Sequence, residues 1–170
     1  MTQDQPVFQH TMAVLVDNEA GVLGRVIGLF SGRGYNIESL TVAETDHEEG
    51  LSRITIVTSG TAMVIEQIKA QLESLVPVHK VSDLTTEGPS VERELALVKV
   101  ASTGDERVES LRLSDAFRAR VIDTTTDSFT FEITGASSKI DAFVALMKPL
   151  GLVDVSRTGI VAITRGKEGL

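Results

Sequence analysis

Apolar and polar positions change from strand-like to helix-like spacing and back along the first half of the chain. Apolar side chains occupy every position of Met12–Val16, which predicts a strand buried on both faces and therefore central in a sheet. From Val22 to Phe30 the apolar positions recur at helical spacing, and the glycines of Gly32–Gly34 end this helix. Further strands are predicted at Ile37–Glu44, Ile54–Val57 and Val76–Leu84, and a second helix at Val64–Leu75. The predicted order of elements is βαββαβ.

The second half of the chain repeats this order less regularly. Its first helix, Asp105–Arg118, has an imperfect apolar stripe made of Val108, Leu111, Ala116 and Phe117. The other predicted elements are strands at Leu95–Val100, Val121–Asp123, Phe129–Ile133, Val153–Val155 and Ile160–Ile163, and a helix at Ile140–Leu150. The pattern therefore predicts an α+β fold of two tandem ferredoxin-like βαββαβ domains.

A linker separates the two halves. The segment Thr85–Ser90 is polar and contains a Gly-Pro pair, so we predict domains at residues 1–86 and 87–170. A four-stranded sheet with both helices on one face leaves its other face uncovered, and we expect a second copy to cover it. The chain is therefore expected to form a homodimer.

Composition and charge narrow the classes of function. The 170 residues carry a net charge of −8, and residues 1–86 hold 5 basic and 11 acidic side chains, so binding to nucleic acid is not expected. No cysteine is present, which excludes disulfides and thiolate chemistry within the chain. Met1–Gln9 lacks the apolar run of a signal peptide, and the apolar stretch Gly21–Phe30 is too short to cross a membrane. We expect a cytoplasmic protein.

The loop between the first strand and the first helix is the strongest candidate for a binding site. Amide N–H groups at a helix start lack partners within the helix, and the helix dipole adds positive charge, so a small carboxylate binds well there. Gly21 allows close approach to the main chain, and Asn18 offers its amide to an ammonium or carboxylate group. Val22 and Leu23 offer an apolar wall. The same pattern also fits a tight turn that binds no ligand.

Three glycines recur at every fourth residue of the first helix: Gly24, Gly28 and Gly32. Each glycine costs a helix up to ~1 kcal/mol relative to alanine. We expect close packing of this helix against a sheet or a partner helix to offset that cost.

No pattern of catalytic or metal-binding residues stands out. His10, His47 and His79 are far apart and have no zinc-ligand spacing, and neither a phosphate-binding loop nor a nucleophile elbow is present. An acylphosphatase-like hydrolase would need an arginine in the first loop, which is acidic here. An RNA-binding domain would need stacking aromatic residues and a basic face. We therefore expect a binding protein with no catalytic and no metal site.

The continuous run from Asn18 to Val42 resembles the ACT-domain signature of the small subunit of acetohydroxyacid synthase, also called acetolactate synthase. Its most specific part is Arg33–Leu40, with the sequence Arg-Gly-Tyr-Asn-Ile-Glu-Ser-Leu. Later segments resemble the same family: Leu51–Ile56, Val91–Val100, Phe117–Asp123, Lys139–Phe143 and Ser156–Gly159. The resemblance covers nearly the whole chain and implies that the first domain is an amino-acid-sensing ACT domain.

The resemblance implies a non-catalytic regulatory subunit. Its partner would be the catalytic large subunit, which makes acetolactate and acetohydroxybutyrate from pyruvate and binds thiamine diphosphate, FAD and magnesium, so this chain is expected to bind no cofactor itself. The small subunit is expected to activate that enzyme in branched-chain amino acid biosynthesis and to confer feedback inhibition by valine, with leucine and isoleucine as alternatives.

The family's effector lies between two ACT domains, which assigns the site residues of this chain. The resemblance places Asn18, Gly21, Val22 and Leu23 on one copy, and Asn36 and Ile37 on the facing copy. An ACT-type sensor that regulates a different enzyme stays open as an alternative.

Overall fold

The structure, a computed structural model, describes residues 5–46 and 48–170. The first half of the chain forms β1 (Phe8–Asp17), α1 (Val22–Gly32), β2 (Ser39–Asp46), β3 (Leu51–Gly60), α2 (Ala62–Glu73) and β4 (Val78–Asp83). The four strands are antiparallel in the order β2-β3-β1-β4. This order confirms the predicted ferredoxin-like arrangement.

Strand β1 is the centre of the first sheet, as its unbroken apolar run predicts. It pairs with β3 along its whole length and with β4 along part of it. One of its faces packs against the two helices in a core of Met12, Val14, Val16, Val22, Val26, Phe30, Ile54, Ile56, Ile65, Ile68, Leu72 and Val81. Each of these side chains is at most 5% exposed. Truncating any one of the larger ones to alanine is expected to cost about 2–5 kcal/mol of stability.

The second half builds a second sheet of the same topology. Its elements are β5 (Ser90–Ala101), α3 (Gly104–Ala116), β6 (Arg120–Thr124), β7 (Ser128–Gly135), α4 (Ser137–Met147), a 3-10 turn (Lys148–Leu150) and β8 (Leu152–Arg157). The strands lie in the order β6-β7-β5-β8, again antiparallel. The core combines small aliphatic side chains of β5 with the aromatic rings of Phe129, Phe131 and Phe143.

Helix α3 does not bury the stripe that the sequence pattern predicts. Val108 is 68% exposed and Leu111 is 40% exposed. The buried side chains on this helix are Ser110 and Ser114, and each hydroxyl donates to the carbonyl three residues earlier. Such local hydrogen bonds satisfy a hydroxyl without a distant partner, so this helix can bury small polar residues.

The C-terminal segment returns to the first sheet and covers part of its second face. Ile160 and Ala162 are 7% and 6% exposed, and they pack against Ala13, Val57 and Leu84. The last strand, β9 (Val161–Thr164), lies in this segment. A second copy is therefore not needed to cover this part of the face, and the argument for a dimer from an uncovered sheet face is wrong in that respect.

The chain forms two compact units that do not follow a single cut in the sequence. One comprises the chain up to Val91 together with Ile160–Leu170, and the other comprises Glu92–Gly159. The division at residues 1–86 and 87–170 stays a prediction, from which the compact units differ by a few residues and the C-terminal segment. No helix in the described ranges is long and apolar enough to cross a membrane.

Candidate functional site

The loop between β1 and α1 has a fixed main chain. Asn18 N–H donates to the carbonyl of Gly50 (2.7 Å), and Glu19 N–H donates to the carbonyl of Asp17 (3.0 Å). Gly21 precedes the helix with φ 87°, in the left-handed region that glycine adopts without steric cost. The loop geometry therefore depends on a glycine at position 21.

The start of α1 has free hydrogen-bond donors. No side chain of the described residues caps this helix, and the first bond of the helical ladder runs from Arg25 N–H to the carbonyl of Gly21. Among the described residues, the amides of Leu23 and Gly24 have no acceptor. These amides and the helix dipole favour a bound carboxylate at this position.

The predicted site residues at this end of α1 differ in exposure. Asn18 and Gly21 are exposed, and Leu23 is 36% exposed, so all three are accessible to a ligand. Val22 is 4% exposed and packs in the core of the first unit. Its side chain therefore forms no apolar wall beside the loop, contrary to the interpretation of the sequence pattern. The exposed side chain of Leu23 is the one that can contact an apolar part of a ligand.

A side-chain hydrogen bond holds one flank of this loop. The Oδ1 atom of Asp17 lies 2.5 Å from Nε2 of His79, and Asp17 N–H donates to the carbonyl of Pro77 (2.9 Å). Both contacts join the end of β1 to the beginning of β4. The acidic side chain of Asp17 is thus engaged within the protein and contributes to the position of the loop.

The second group of predicted site residues follows α1. Asn36 is exposed, and its main-chain carbonyl accepts a hydrogen bond from Thr58 Oγ1 (2.6 Å). Ile37 is partly buried against the core, and Glu38 N–H donates to the carbonyl of Val57 (2.8 Å). The main chain here is fixed while the Asn36 amide is open to solvent.

The two groups lie at opposite ends of the first sheet. In the β1–β3 register, Asp17 is opposite Leu51, whereas Thr58, the partner of Asn36, is opposite His10. Seven positions separate these two levels, which corresponds to ~23 Å along a strand. A ligand the size of an amino acid cannot contact Asn18 and Asn36 of the same copy.

The glycines of α1 have no close neighbour within the described structure. A Cβ atom added at Gly24, Gly28 or Gly32 would meet nothing within 4 Å. Gly28 and Gly32 line an open groove of about 530 Å³ between α1 and α2, together with Arg25, Arg33, Leu29, Gln71, Ser74 and Leu75. Helix α1 packs on the sheet through Val22, Val26 and Phe30, but no described residue packs closely against the glycines themselves.

The two described histidines, His10 and His79, do not form a metal site. In the described ranges no group of three or more His, Asp or Glu side chains could hold a metal ion. His10 is buried in β1, where Nδ1 lies 2.9 Å from Asp83 Oδ2, and Asp83 Oδ1 accepts from Thr85 N–H (3.1 Å). His79 pairs with Asp17, and His47 lies outside the described residues.

A buried carboxylate in the second unit escaped the sequence analysis as a separate feature. Glu94 is 5% exposed and accepts hydrogen bonds from Arg157 Nε (2.7 Å) and Nη2 (2.9 Å) and from Ser137 Oγ (2.8 Å). Arg157 Nη1 also donates to Asp141 Oδ1 (2.6 Å). The hydrogen bonds from Arg157 hold the pKa of Glu94 below its usual value, against the opposing effect of burial. The available signal was that Glu94, Asp141 and Arg157 each fall in a segment that resembles the family.

Contacts between β2, β3 and the C-terminal segment also escaped the sequence analysis. Ile160 N–H donates to Ser39 Oγ (3.0 Å), and Thr41 Oγ1 lies 3.5 Å from the carbonyl oxygen of Ile160. Arg53 Nη2 donates to the carbonyl of Ala162 (2.7 Å), and burial lowers the pKa of this guanidinium. No local pattern links positions that are more than 100 residues apart.

Two protein-family models match the chain, one for each half. The model described as the AHAS small subunit-like ACT domain matches residues 12–80. The model described as the small subunit of acetolactate synthase matches residues 93–166. The two matches together span most of both units.

Curated relatives and a solved structure agree with these matches. The chain is 48% identical over 161 residues to the probable acetolactate synthase small subunit of Archaeoglobus fulgidus, covering 95% of this chain and 99% of the relative. It is 49% identical over 160 residues to the acetolactate synthase isozyme 3 small subunit of Escherichia coli, covering 94% and 97%. The crystal structure of the acetolactate synthase small subunit from Thermotoga maritima superposes with a TM-score of 0.84 at 41% identity, covering 95% and 99%.

Proposed function

Because this chain belongs to the family of acetolactate synthase small subunits, we propose that it activates the catalytic subunit of that enzyme and makes it sensitive to inhibition by valine. The family's small subunit is regulatory and non-catalytic. Thiamine diphosphate, FAD and magnesium are accordingly assigned to the catalytic subunit. Association with that subunit follows from membership of the family. The proposal adds valine as the effector and a homodimer of this chain as the form that binds it.

The observation that carries the proposal is the uncapped start of α1. Free amides at Leu23 and Gly24, the left-handed Gly21 and the exposed Asn18 together offer donors to a carboxylate and an amide to an ammonium group. The exposed side chain of Leu23 lies beside these groups in the sequence and can contact an aliphatic side chain. A free branched-chain amino acid has these three chemical features.

The separation of the two groups of site residues supports a site made by two copies. Strand β2 is at the edge of its sheet, so its outer N–H and C=O groups are available for pairing. Two-fold symmetric, antiparallel pairing of β2 with its copy would place the beginning of β2 beside the end of the copy's β2. Asn36 and Ile37 of one copy would then approach the loop containing Asn18 and Gly21 of the other.

Exposed apolar side chains border the same edge. On α1, Gly28 and Gly32 face the groove shared with α2, so Leu23 and Ile27 lie on the opposite flank of the helix, toward β2. Ile27 is 38% exposed, and Val42 on β2 is 43% exposed. Pairing through β2 would bury these side chains, which accounts for their exposure in a single chain.

The proposal is tested by acetolactate formation with the catalytic subunit from the same source. Activity is measured for the catalytic subunit alone, with this chain, and with this chain plus valine. We expect activation by the chain and its reversal by valine. Threonine is the matched control ligand, because it has the shape of valine but carries a hydroxyl group that an apolar contact does not favour. Absence of activation would contradict the regulatory role, and activation that valine leaves unchanged would contradict the proposed effector.

A further inference from the structure

The C-terminal segment Ile160–Thr164, called the strap below, lies on the face of the first sheet opposite the helices. Its apolar side chains alternate, because Ile160 and Ala162 are buried whereas Val161 and Ile163 are 53% and 60% exposed. The buried pair packs against Ala13, Val57 and Leu84. One face of the strap therefore packs on the sheet, and the other face is exposed to solvent.

Side chains of the first sheet hold the main chain of the strap. Ser39 Oγ accepts from the N–H of Ile160 and Thr41 Oγ1 lies 3.5 Å from its carbonyl oxygen, while Arg53 donates to the carbonyl of Ala162. All three side chains come from β2 and β3 and share one face of the sheet, since Thr41 is opposite Thr55 and Ser39 opposite Val57. Most of the strap is also a strand, β9, which pairs with β5, so these side-chain contacts add to main-chain pairing.

These contacts connect two parts of the chain that matter for regulation. Ser39 follows the predicted effector residues Asn36 and Ile37 after a single intervening residue, and Glu38 is bonded to Val57 at the level of the strap. Ile160 directly follows Gly159, the last residue of the second unit. The main chain of Gly159 is in turn hydrogen-bonded to Glu94, which Arg157 clamps. The segment held by β2 is thus joined through the main chain to the residue that contacts Glu94.

We propose that the strap transmits effector binding from the α1–β2 loop to the second unit, and that Ser39 and Thr41 are the positioning residues for this step. The inference rests on the proposed valine site. Valine that contacts Asn36 and Ile37 fixes the position of the beginning of β2. The hydroxyl groups of Ser39 and Thr41 are then held where they bind the main chain of Ile160. Because coupling is reciprocal, a seated strap favours valine binding in return.

The test compares the wild-type complex with a double variant, Ser39→Ala with Thr41→Val, which removes both hydroxyl contacts and nearly preserves side-chain volume. Thr45→Val is the matched control, because Thr45 is exposed near the end of the same strand. Hydrogen–deuterium exchange of the strap amides is measured by mass spectrometry in the assembled enzyme, with and without valine. Valine inhibition and activation without valine are measured in the same preparations.

We expect valine to slow exchange of the strap about fivefold or more in the wild type and in Thr45→Val. The double variant loses this protection and needs at least fivefold more valine for half-inhibition, while its activation without valine is unchanged. If valine inhibits the wild type but leaves strap exchange unchanged, or if the double variant is inhibited like the wild type, the strap inference is overturned and the proposed function stands. If valine neither binds nor inhibits, both are overturned.

A second measurement covers the case in which the double variant does not fold. The chain has no cysteine, so Ile163→Cys, at an exposed strap position, accepts a single fluorescent label before the enzyme is assembled. A valine-dependent change in emission at this label, absent from a label at Met63→Cys, which is 60% exposed on α2 of the first unit, supports the strap inference. Equal response or no response at both labels overturns it.

Discussion

Glu94 and Arg157 form a two-bond ion pair between β5 and β8, with Nε–Oε1 and Nη2–Oε2 distances of 2.7 and 2.9 Å. Glu94 is 5% exposed, so removing its charge leaves a buried acceptor that binds the guanidinium less strongly. We therefore expect Glu94→Gln to lower the free energy of unfolding by about 2 kcal/mol. Urea unfolding at neutral pH measures the change.

Glu109 provides the matched control for this prediction. It pairs with Arg112 one turn away on α3 with good geometry, but both side chains are well exposed. Glu109→Gln should change the free energy of unfolding by less than about 0.5 kcal/mol. Equal losses in the two variants would contradict a special role for the buried carboxylate of Glu94.

The pH dependence of stability should report on the same carboxylate. The pKa of Glu94 is lower in the folded chain than its ordinary value, first because of the hydrogen bonds from Arg157. The folded protein then binds fewer protons than the unfolded one near the ordinary glutamate pKa of ~4.3. The stabilisation is therefore complete above that value and is lost as the pH falls through the lowered pKa. Unfolding in urea at a series of pH values from 7 to 3 should show a shallower decline for Glu94→Gln, and parallel curves would argue against this assignment.

Gly21→Asp should weaken valine binding at least tenfold, or about 1.4 kcal/mol, because it places a carboxylate beside that of the ligand. Position 21 has φ 87°, so any side chain there also strains the main chain. Gly21→Asn separates the two effects, since asparagine has the same shape without charge and tolerates the left-handed region. Calorimetry with valine should show a much smaller loss for asparagine, and equal affinities for the two variants would speak against a bound carboxylate at this loop.

Asn36→Ala should weaken valine binding while the dimer persists. The main-chain carbonyl of Asn36 keeps its bond to Thr58 in the variant, so the loop should retain its shape. Calorimetry gives the affinity, and sedimentation velocity gives the oligomeric state. A monomeric variant would show that this side chain serves assembly instead of the ligand.

Val42→Lys should separate the copies and abolish valine binding without unfolding the chain. A charged side chain on an exposed edge strand disfavours pairing with a copy. Val108→Lys on α3 is the control, because Val108 is also exposed but lies in the second unit. Sedimentation velocity should report a monomer for the first variant alone, and a persisting dimer would place the contact elsewhere.

Much of the fold follows from patterns within short segments. The apolar run Met12–Val16 predicts a central strand, and the structure confirms it between β3 and β4. Helical spacing predicts α1, α2 and α4, because an amphipathic helix must place its apolar side chains on one face. In α3 the same spacing gives a wrong prediction, because Ser110 and Ser114 are buried while Val108 and Leu111 are exposed. The serine hydroxyl groups can be buried because each donates to a main-chain carbonyl of the same helix.

Some features of the candidate site can likewise be predicted from the sequence, and others only from the structure. The glycine at the start of α1 and the asparagine before it are visible as a local pattern, because a helix start always has free amides. No local pattern shows that Val22 points into the core or how far Asn18 lies from Asn36. Both depend on how α1 packs on the sheet.

The family, the order of strands and helices and the loop most suited to a carboxylate follow from short stretches of sequence, since each is encoded in neighbouring residues. The return of Ile160–Thr164 to the first sheet and the contact of Glu94 with Arg157, 63 positions away, are visible in the folded chain and not in its sequence. A strand pattern specifies which side chains will be buried but not the surface that buries them. That surface exists only once the whole chain has folded, because burial and hydrogen bonding between distant segments depend on its complete path.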